Sequence, residues 1–286
     1  MSGSEGRDRS RLVEPGVRRP VPILLYHSVT SDDFGLMQRY TMAPALFRAH
    51  MAWIADRGFS TMTVSEYAAA RRGETALPDR PLLVTFDDGY ADFLDGAAPA
   101  LVEHGIRATL YVSTAPMGER RRGTIAGRPM LTWSELRRVA DLGVEVGGHS
   151  HDHAQLDVLP GREVMRQVTT CKRLIEDHVQ IDVGSFAYPH GHNSARTRRI
   201  VRAAGYSSAC AVKNARSHDC DDLWALGRVM FEHDDDVDHL REACEGERYP
   251  LSSPRESART WGWRAARRVG VRMRPGTLTP PTTPGD

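Results

Sequence analysis

Asp87 and Asp88 stand side by side after the apolar run Pro81-Leu-Leu-Val-Thr-Phe86 and directly before Gly89. Adjacent acids in such a place can cap a helix. They can also divide a reaction, one carboxylate holding a cation while its neighbour takes up a proton. Further along, His149-Ser-His-Asp-His153 follows another apolar segment, and Gly147-Gly148 lies in front of it, where the backbone can turn sharply. Histidines four apart can converge on one ion, and an acid from another strand adds an oxygen ligand. Three protein ligands with a position left for water describe a catalytic metal site rather than a closed structural one. Such an ion lowers the pKa of its water toward about 7 and polarises a carbonyl under attack.

These groups matter only if the fold gathers them. Short apolar runs at 22–27, 81–86, 108–112, 144–146, 185–188, 207–212 and 224–231 read as strands. Between them, helical spacing marks 44–57, 64–72, 90–103, 136–141, 162–178, 195–204 and 237–244, with Thr132-Trp-Ser-Glu135 in capping-box form. Strands alternating with helices imply a parallel sheet, and this many units favour closure into a barrel. Barrels of this kind place reacting groups at the C-terminal ends of strands. His27, Asp87, Asp88, His149 and His190 all fall at such ends. His151 is read as solvent-facing or as support for the metal ligands. His233 with Asp234–Asp236 is read as a loop and helix N-terminus rather than a second metal site.

With 286 residues the chain can bury a full core in one domain. Thirty-eight basic against 37 acidic residues leave a net charge of +1, too small an excess for a nucleic-acid surface. Cys171, Cys210, Cys220 and Cys244 lack any CxxC spacing and read as free thiols in a reducing compartment. The first ten residues are polar, unlike a secretory signal, and no apolar run approaches the roughly 18 residues of a membrane span. The expected location is the cytoplasm. The expected division is a flexible arm over 1–19, one catalytic domain over 20–245, and a basic, Pro/Thr-rich tail over 246–286. In that tail Trp261, Ala265, Val269 and Met273 share one helical face and Arg264, Arg267 and Arg274 the other. Such a segment can rest weakly on anionic lipid; Gly262 and Gly270 weaken the helix, and a plain basic tail is the alternative.

Thr85-Phe86-Asp87-Asp88-Gly89, His149-Ser150-x-x-His153 and Phe186-Ala187-Tyr188-Pro189-His190-Gly191 resemble, in order and spacing, the motifs of the polysaccharide deacetylase (NodB-homology) family, carbohydrate esterase family 4. Leu24-Leu25-Tyr26-His27-Ser28-Val29 and Met130-Leu131-Thr132-Trp133 are similar to the branch containing poly-N-acetylglucosamine deacetylases. The resemblance spans roughly residues 21–245 and implies an α/β fold, a single distorted (β/α)7-type barrel. It implies Asp88, His149 and His153 as metal ligands and Asp87 as the base that deprotonates water. In this branch the first strand supplies the general acid, which here is His27; a core histidine is the alternative. Backbone N–H groups near Pro189-His190 would stabilise the oxyanion. Tyr188, Pro189, His190 and Arg228 are the expected substrate-binding residues. Two positions depart from the pattern. Ala187 stands where many relatives carry an arginine that braces the base, a task open to Arg228, and His190 replaces the usual tyrosine.

The expected activity is a metal-dependent hydrolase, acting on carbon–nitrogen bonds other than peptide bonds. It would remove acetyl groups from an N-acetylhexosamine-containing glycan or glycoconjugate. An O-acetyl esterase or other non-peptide C–N hydrolase on the same site is the alternative, and an inactive glycan-binding module is a further one. One divalent ion is implied; zinc suits a His2Asp set, as do cobalt, nickel and iron.

Overall fold

The computed structural model describes residues 18–253, apart from 33–34, 119–124 and 126. The tail residues Trp261 to Arg274 lie outside the described residues, as does most of the N-terminal arm.

A parallel sheet of eight strands is formed by β1 (Ile23–Tyr26), β2 (Ser60–Met62), β3 (Pro81–Phe86), β4 (Ala108–Val112), β5 (Glu145–Gly148), β6 (Ser185–Ala187), β7 (Ser208–Cys210) and β8 (Val229–Met230). Its order is β7-β6-β5-β4-β3-β1-β8, with β2 joined to the lower half of β3. The segment leading into β8 reaches back to β7: Leu226 forms a parallel bridge with Cys210, and Leu226 N donates to Ala209 O at 3.0 Å. One stretch therefore touches both outer strands and curls the sheet toward closure. The strand expected over 224–231 is accordingly regular only at Val229–Met230, because it changes partners halfway.

Among the described residues seven α-helices accompany the sheet: α1 (Pro44–Asp56), α2 (Val64–Arg71), α3 (Ala98–Glu103), α4 (Trp133–Asp141), α5 (Gly161–Val179), α6 (Ala195–Ala203) and α7 (Val237–Cys244). Thr132 and Glu135 cap α4 reciprocally. The helix expected from residue 90 starts with a π-turn at Phe93–Ala97 before α3. There Gly96 lies so close to Val29 that a Cβ would stand 1.8 Å from its carbonyl oxygen.

The period-2 rule explains how the strands deliver the site. Leu24, Tyr26, Val84, Phe86, Leu110, Val112, Val146 and Phe186 face the helices and form the main core. Ile23, Leu83, Tyr111, Ala187, Cys210 and Leu226 face inward and pack together, with Val64 and Tyr67 of α2 beneath them. Below this layer Glu145 accepts from Ser65, Thr109 and Ser185 hydroxyls. Above it the same inward columns continue into Asp87, His149 and Arg228. Gly147 and Gly148 belong to β5 rather than to a turn, contrary to expectation. A Cβ at Gly147 would stand 2.5 Å from the Tyr111 ring, and one at Gly148 2.4 Å from the Tyr206 hydroxyl. The glycines admit large neighbours instead of bending the chain.

The fold continues past residue 245: Leu251 bridges to Arg216, and Ser252 Oγ donates to Asp221. Residues 246–252, expected in the tail, are thus bonded to the body. Among the described residues no helix is long and apolar enough to cross a membrane.

Candidate metal centre

Asp88, His149 and His153 meet at the mouth of the barrel. Asp88 Oδ1 lies 3.3 Å from His149 Nε2 and 3.1 Å from His153 Nε2, and all the ligand atoms fall within 4.8 Å of one another. His149 N donates to Val112 O at 2.9 Å, and its Nδ1 is 2.8 Å from Ala187 O. A carbonyl can only accept, so Nδ1 carries the proton and Nε2 turns its lone pair toward Asp88. Asp88 follows Asp87 with a φ of +78°, which swings the second carboxylate out of the inward column. Of the six described non-glycine residues with positive φ, four stand here: Asp88, Ser150, His153 and His190. Each such residue costs on the order of 1–3 kcal/mol and persists only where its surroundings over-determine it.

Those surroundings are visible around the 149–153 loop. Ser113 Oγ donates to His149 O at 2.8 Å, and Ala115 N donates to His151 O at 2.9 Å. His151, part-exposed, bonds Thr114 Oγ1 through Nδ1 at 2.8 Å and so supports the loop rather than joining the triad. Gln167 of α5 holds Asp152 by both backbone and side chain.

The charges fit a cation. Burial raises the Asp88 pKa, but the neighbouring imidazoles, His153 ahead of His149, outweigh it and hold the carboxyl well below its usual range. Burial alone would lower the His149 pKa, yet Asp87 and Asp88 reverse that and raise it. The pocket therefore attracts positive charge, and a divalent ion satisfies that attraction without protonating the ligands.

Asp87 sits beside the triad, its Oδ2 3.9 Å from His149 Nε2. Arg228 grips it bidentately, Nη1 to Oδ1 and Nη2 to Oδ2, each at 2.7 Å. The remaining donors of Arg228 reach Ala211 O at 3.1 Å and Thr85 Oγ1 at 3.2 Å, and its guanidinium lies 5.7 Å over Tyr111. Burial raises the Asp87 pKa, but the adjacent guanidinium and then His149 hold it below the ordinary carboxylate value. Arg228 is 0% exposed. It is thus turned to Asp87 and closed to substrate, unlike the substrate-binding position expected for it.

His27 ends β1 next to Asp87, half-buried, with its ring 5.2 Å from that of Tyr40. Its buried Nδ1 has no hydrogen-bond partner. Burial lowers its pKa, against the opposing pull of Asp88 and Asp87. Of the other expected substrate-binding residues, His190 is exposed, with its ring 4.8 Å from that of His153, and Pro189 is buried beneath it. Tyr188 is not at the rim. It is fully buried, and its hydroxyl donates to Trp224 O at 3.0 Å. The strand alternation that turns Ala187 inward turns Tyr188 into the outer core. A second possible ligand group among the described residues, His218, Asp219 and Cys220, has its imidazole spent on Ser252 O and Cys220 N. The roles of the Ala187 carbonyl, Thr85 and Tyr40 were not legible in the sequence, because each depends on what stands across the barrel.

Residues 74–209 match the polysaccharide deacetylase family model. YxkH of Bacillus subtilis (strain 168), itself named for the polysaccharide deacetylases, is 25% identical over 222 residues, 78% of this chain and 75% of its own length. The poly-beta-1,6-N-acetyl-D-glucosamine N-deacetylase of Escherichia coli (strain K12) is 28% identical over 98 residues, 33% of this chain and 14% of that protein. The solved structure of the Streptococcus pyogenes deacetylase PplD in complex with acetate shares the fold. Its TM-score is 0.71 at 19% identity, over 80% of this chain and 100% of that one. Residues 74–209 thus carry a polysaccharide deacetylase domain of the NodB-homology, carbohydrate esterase family 4 kind.

Proposed function

We propose that the protein is a metal-dependent deacetylase that hydrolyses the N-acetyl group of an N-acetylhexosamine-containing glycan. The observation that carries this reading is one arrangement. A ready cation pocket of Asp88, His149 and His153 stands beside a second carboxylate, Asp87, that is locked in place by a buried arginine. A divalent ion held by those three residues would supply Lewis acidity to the amide carbonyl and lower the pKa of a water beside it. Zinc suits the set, and cobalt, nickel and iron share its preferences.

Asp87 is the base. Arg228 keeps it anionic at neutral pH and fixes both oxygens, and each oxygen retains a lone pair to accept a proton from water. His27, on the neighbouring strand, delivers a proton to the departing nitrogen. Its unpartnered Nδ1 and suppressed charge suit a group that is neutral at rest and holds a proton only during turnover. Water oxygen adds to the amide carbon as Asp87 takes its proton; the adduct then collapses, the C–N bond breaking as that proton passes by way of His27 to the nitrogen, which leaves acetate and a free amine on the sugar. His190 shapes the open side of the mouth. The name of the Escherichia coli relative supports an N-acetylglucosamine polymer as substrate. A binding module would have no use for a buried arginine clamping a base beside a cation pocket.

The test is acetate release from N- and O-acetylated sugar oligomers, with metal content measured on the same sample. Activity should vanish with a chelator and return with zinc or cobalt. Asp88→Ala, His149→Ala and His153→Ala should lose the metal, whereas Asp87→Asn should keep it and lose turnover. Release only from O-acetyl esters would move the reading to an esterase, and stoichiometric metal in the histidine variants would overturn the site.

A further inference from the structure

Tyr90 is a buried polar side chain next to the triad for which the reaction above has no use. It follows Gly89 directly, is 2% exposed, and its hydroxyl closes no hydrogen bond of good geometry. The charged groups around that hydroxyl are Asp88, Arg128 and Asp92. An orphaned buried hydroxyl costs about 1–3 kcal/mol and would be replaced by phenylalanine at no loss if it served packing alone.

The fold fixes the ring firmly. Tyr90 forms an antiparallel bridge with Met130, Leu131 N donates to Gly89 O at 3.0 Å, and Ala91 N donates to Pro129 O at 2.9 Å. Behind the ring the Arg128 guanidinium lies 5.1 Å from the centroid and is itself 1% exposed. Arg128 donates to Thr41 Oγ1 and stands 3.9 Å from Asp92 Oδ2. Asp92 is fixed in turn by Ser28 Oγ at 2.5 Å and Val29 N at 3.3 Å. The phenol therefore has a buried cation against its face, and Asp88 is among the charged groups around its hydroxyl. Asp88 uses the single oxygen Oδ1 toward both histidines, which leaves Oδ2 to take another donor.

We propose that Tyr90 is a positioning residue for the ligand carboxylate: its hydroxyl donates to Asp88 and fixes the oxygen that faces His149 and His153. This rests on the reading of Asp88 as a ligand. A neutral donor suits the task. An arginine or lysine in its place would neutralise Asp88 and compete with the bound ion, whereas a phenol orients the carboxylate and leaves its charge intact. Arg128 lies against the face of the phenol, 5.1 Å from its centroid.

The experiment compares wild type and Tyr90→Phe after chelator stripping, titrating each with zinc against a chromophoric competitor. The expected result is zinc affinity lowered about 10- to 100-fold, the range for outer partners of metal ligands. The thermal midpoint of the metal-free form and kcat at saturating zinc should change little. Equal zinc affinity in the two proteins overturns the inference. Equal affinity together with a lost kcat would place the hydroxyl on substrate instead, and that too overturns it. A wild type that takes up no zinc would fail the metal-site reading itself, a distinguishable result. If Tyr90→Phe does not fold, 3,5-difluorotyrosine at the same position keeps the ring and alters only the donor, and unchanged zinc affinity there is equally refuting.

Discussion

Replacing Arg228 by methionine tests the centre of the site through stability alone. The side chain is fully buried and makes four hydrogen bonds, two of them to Asp87. Methionine fills much of the aliphatic volume but strands the Asp87 carboxylate in a buried place. Breaking a buried ion pair from one side costs about 3–5 kcal/mol. The Ala211 carbonyl loses a donor as well, worth about 1 kcal/mol. Thr85 loses less, because its hydroxyl still donates to Leu24 O at 2.7 Å. A total of about 4–6 kcal/mol is a large part of the roughly 5–15 kcal/mol that a domain possesses, so the variant should fold only at low temperature. If the stranded charge is the cause, removing it should help. Arg228→Met combined with Asp87→Asn should be more stable than Arg228→Met alone by about 2–3 kcal/mol, because the uncompensated buried charge is gone. The assay is urea unfolding at pH 7.5 in the presence of a chelator, with all four proteins of the cycle fitted separately. A double variant less stable than Arg228→Met, with losses that add, would refute the argument and reduce Arg228 to a packing residue.

His27→Ala should retain metal and lower kcat by about 10²–10⁴-fold. That loss should shrink on an activated aryl ester whose leaving group needs no proton, and an equal loss on both substrates would make His27 structural. Tyr188→Phe should cost about 1 kcal/mol through the lost bond to Trp224 O, with KM unchanged; a raised KM at unchanged stability would return Tyr188 to the rim. Burial lowers the pKa of His50 to about 4 from 6.5. The unfolded chain therefore binds this proton first, and stability is intact above about pH 6.5 and falls as the pH drops toward 4. The loss is about 3 kcal/mol at most. His50→Leu should flatten the stability curve in that window, and an identical slope in urea midpoints would show that other groups carry the acid sensitivity.

The identity of the reacting groups was present in the sequence because it is a matter of residue type and local spacing. Asp87-Asp88 after an apolar strand and His149-x-x-x-His153 after another needed only the period of a strand and the reach of a side chain. The alternation of elements gave the parallel sheet in the same local way, and the Thr132–Glu135 cap was legible within four residues. What faces what across the barrel was not legible. Arg228 reaches Asp87 across a separation of 141 residues because the segment leading into β8 lies between β7 and β1. That placement depends on closure of the whole sheet. Tyr188 looked like a rim residue from its motif, yet strand parity sends it outward into the core while Ala187 faces in. The glycines before His149 looked like a turn, and only the neighbouring Tyr111 and Tyr206 rings show why no side chain fits there. The left-handed backbone of Asp88, Ser150, His153 and His190 is likewise invisible in a one-dimensional reading. None of these residue types asks for it, and it is the packing around the mouth that holds them there.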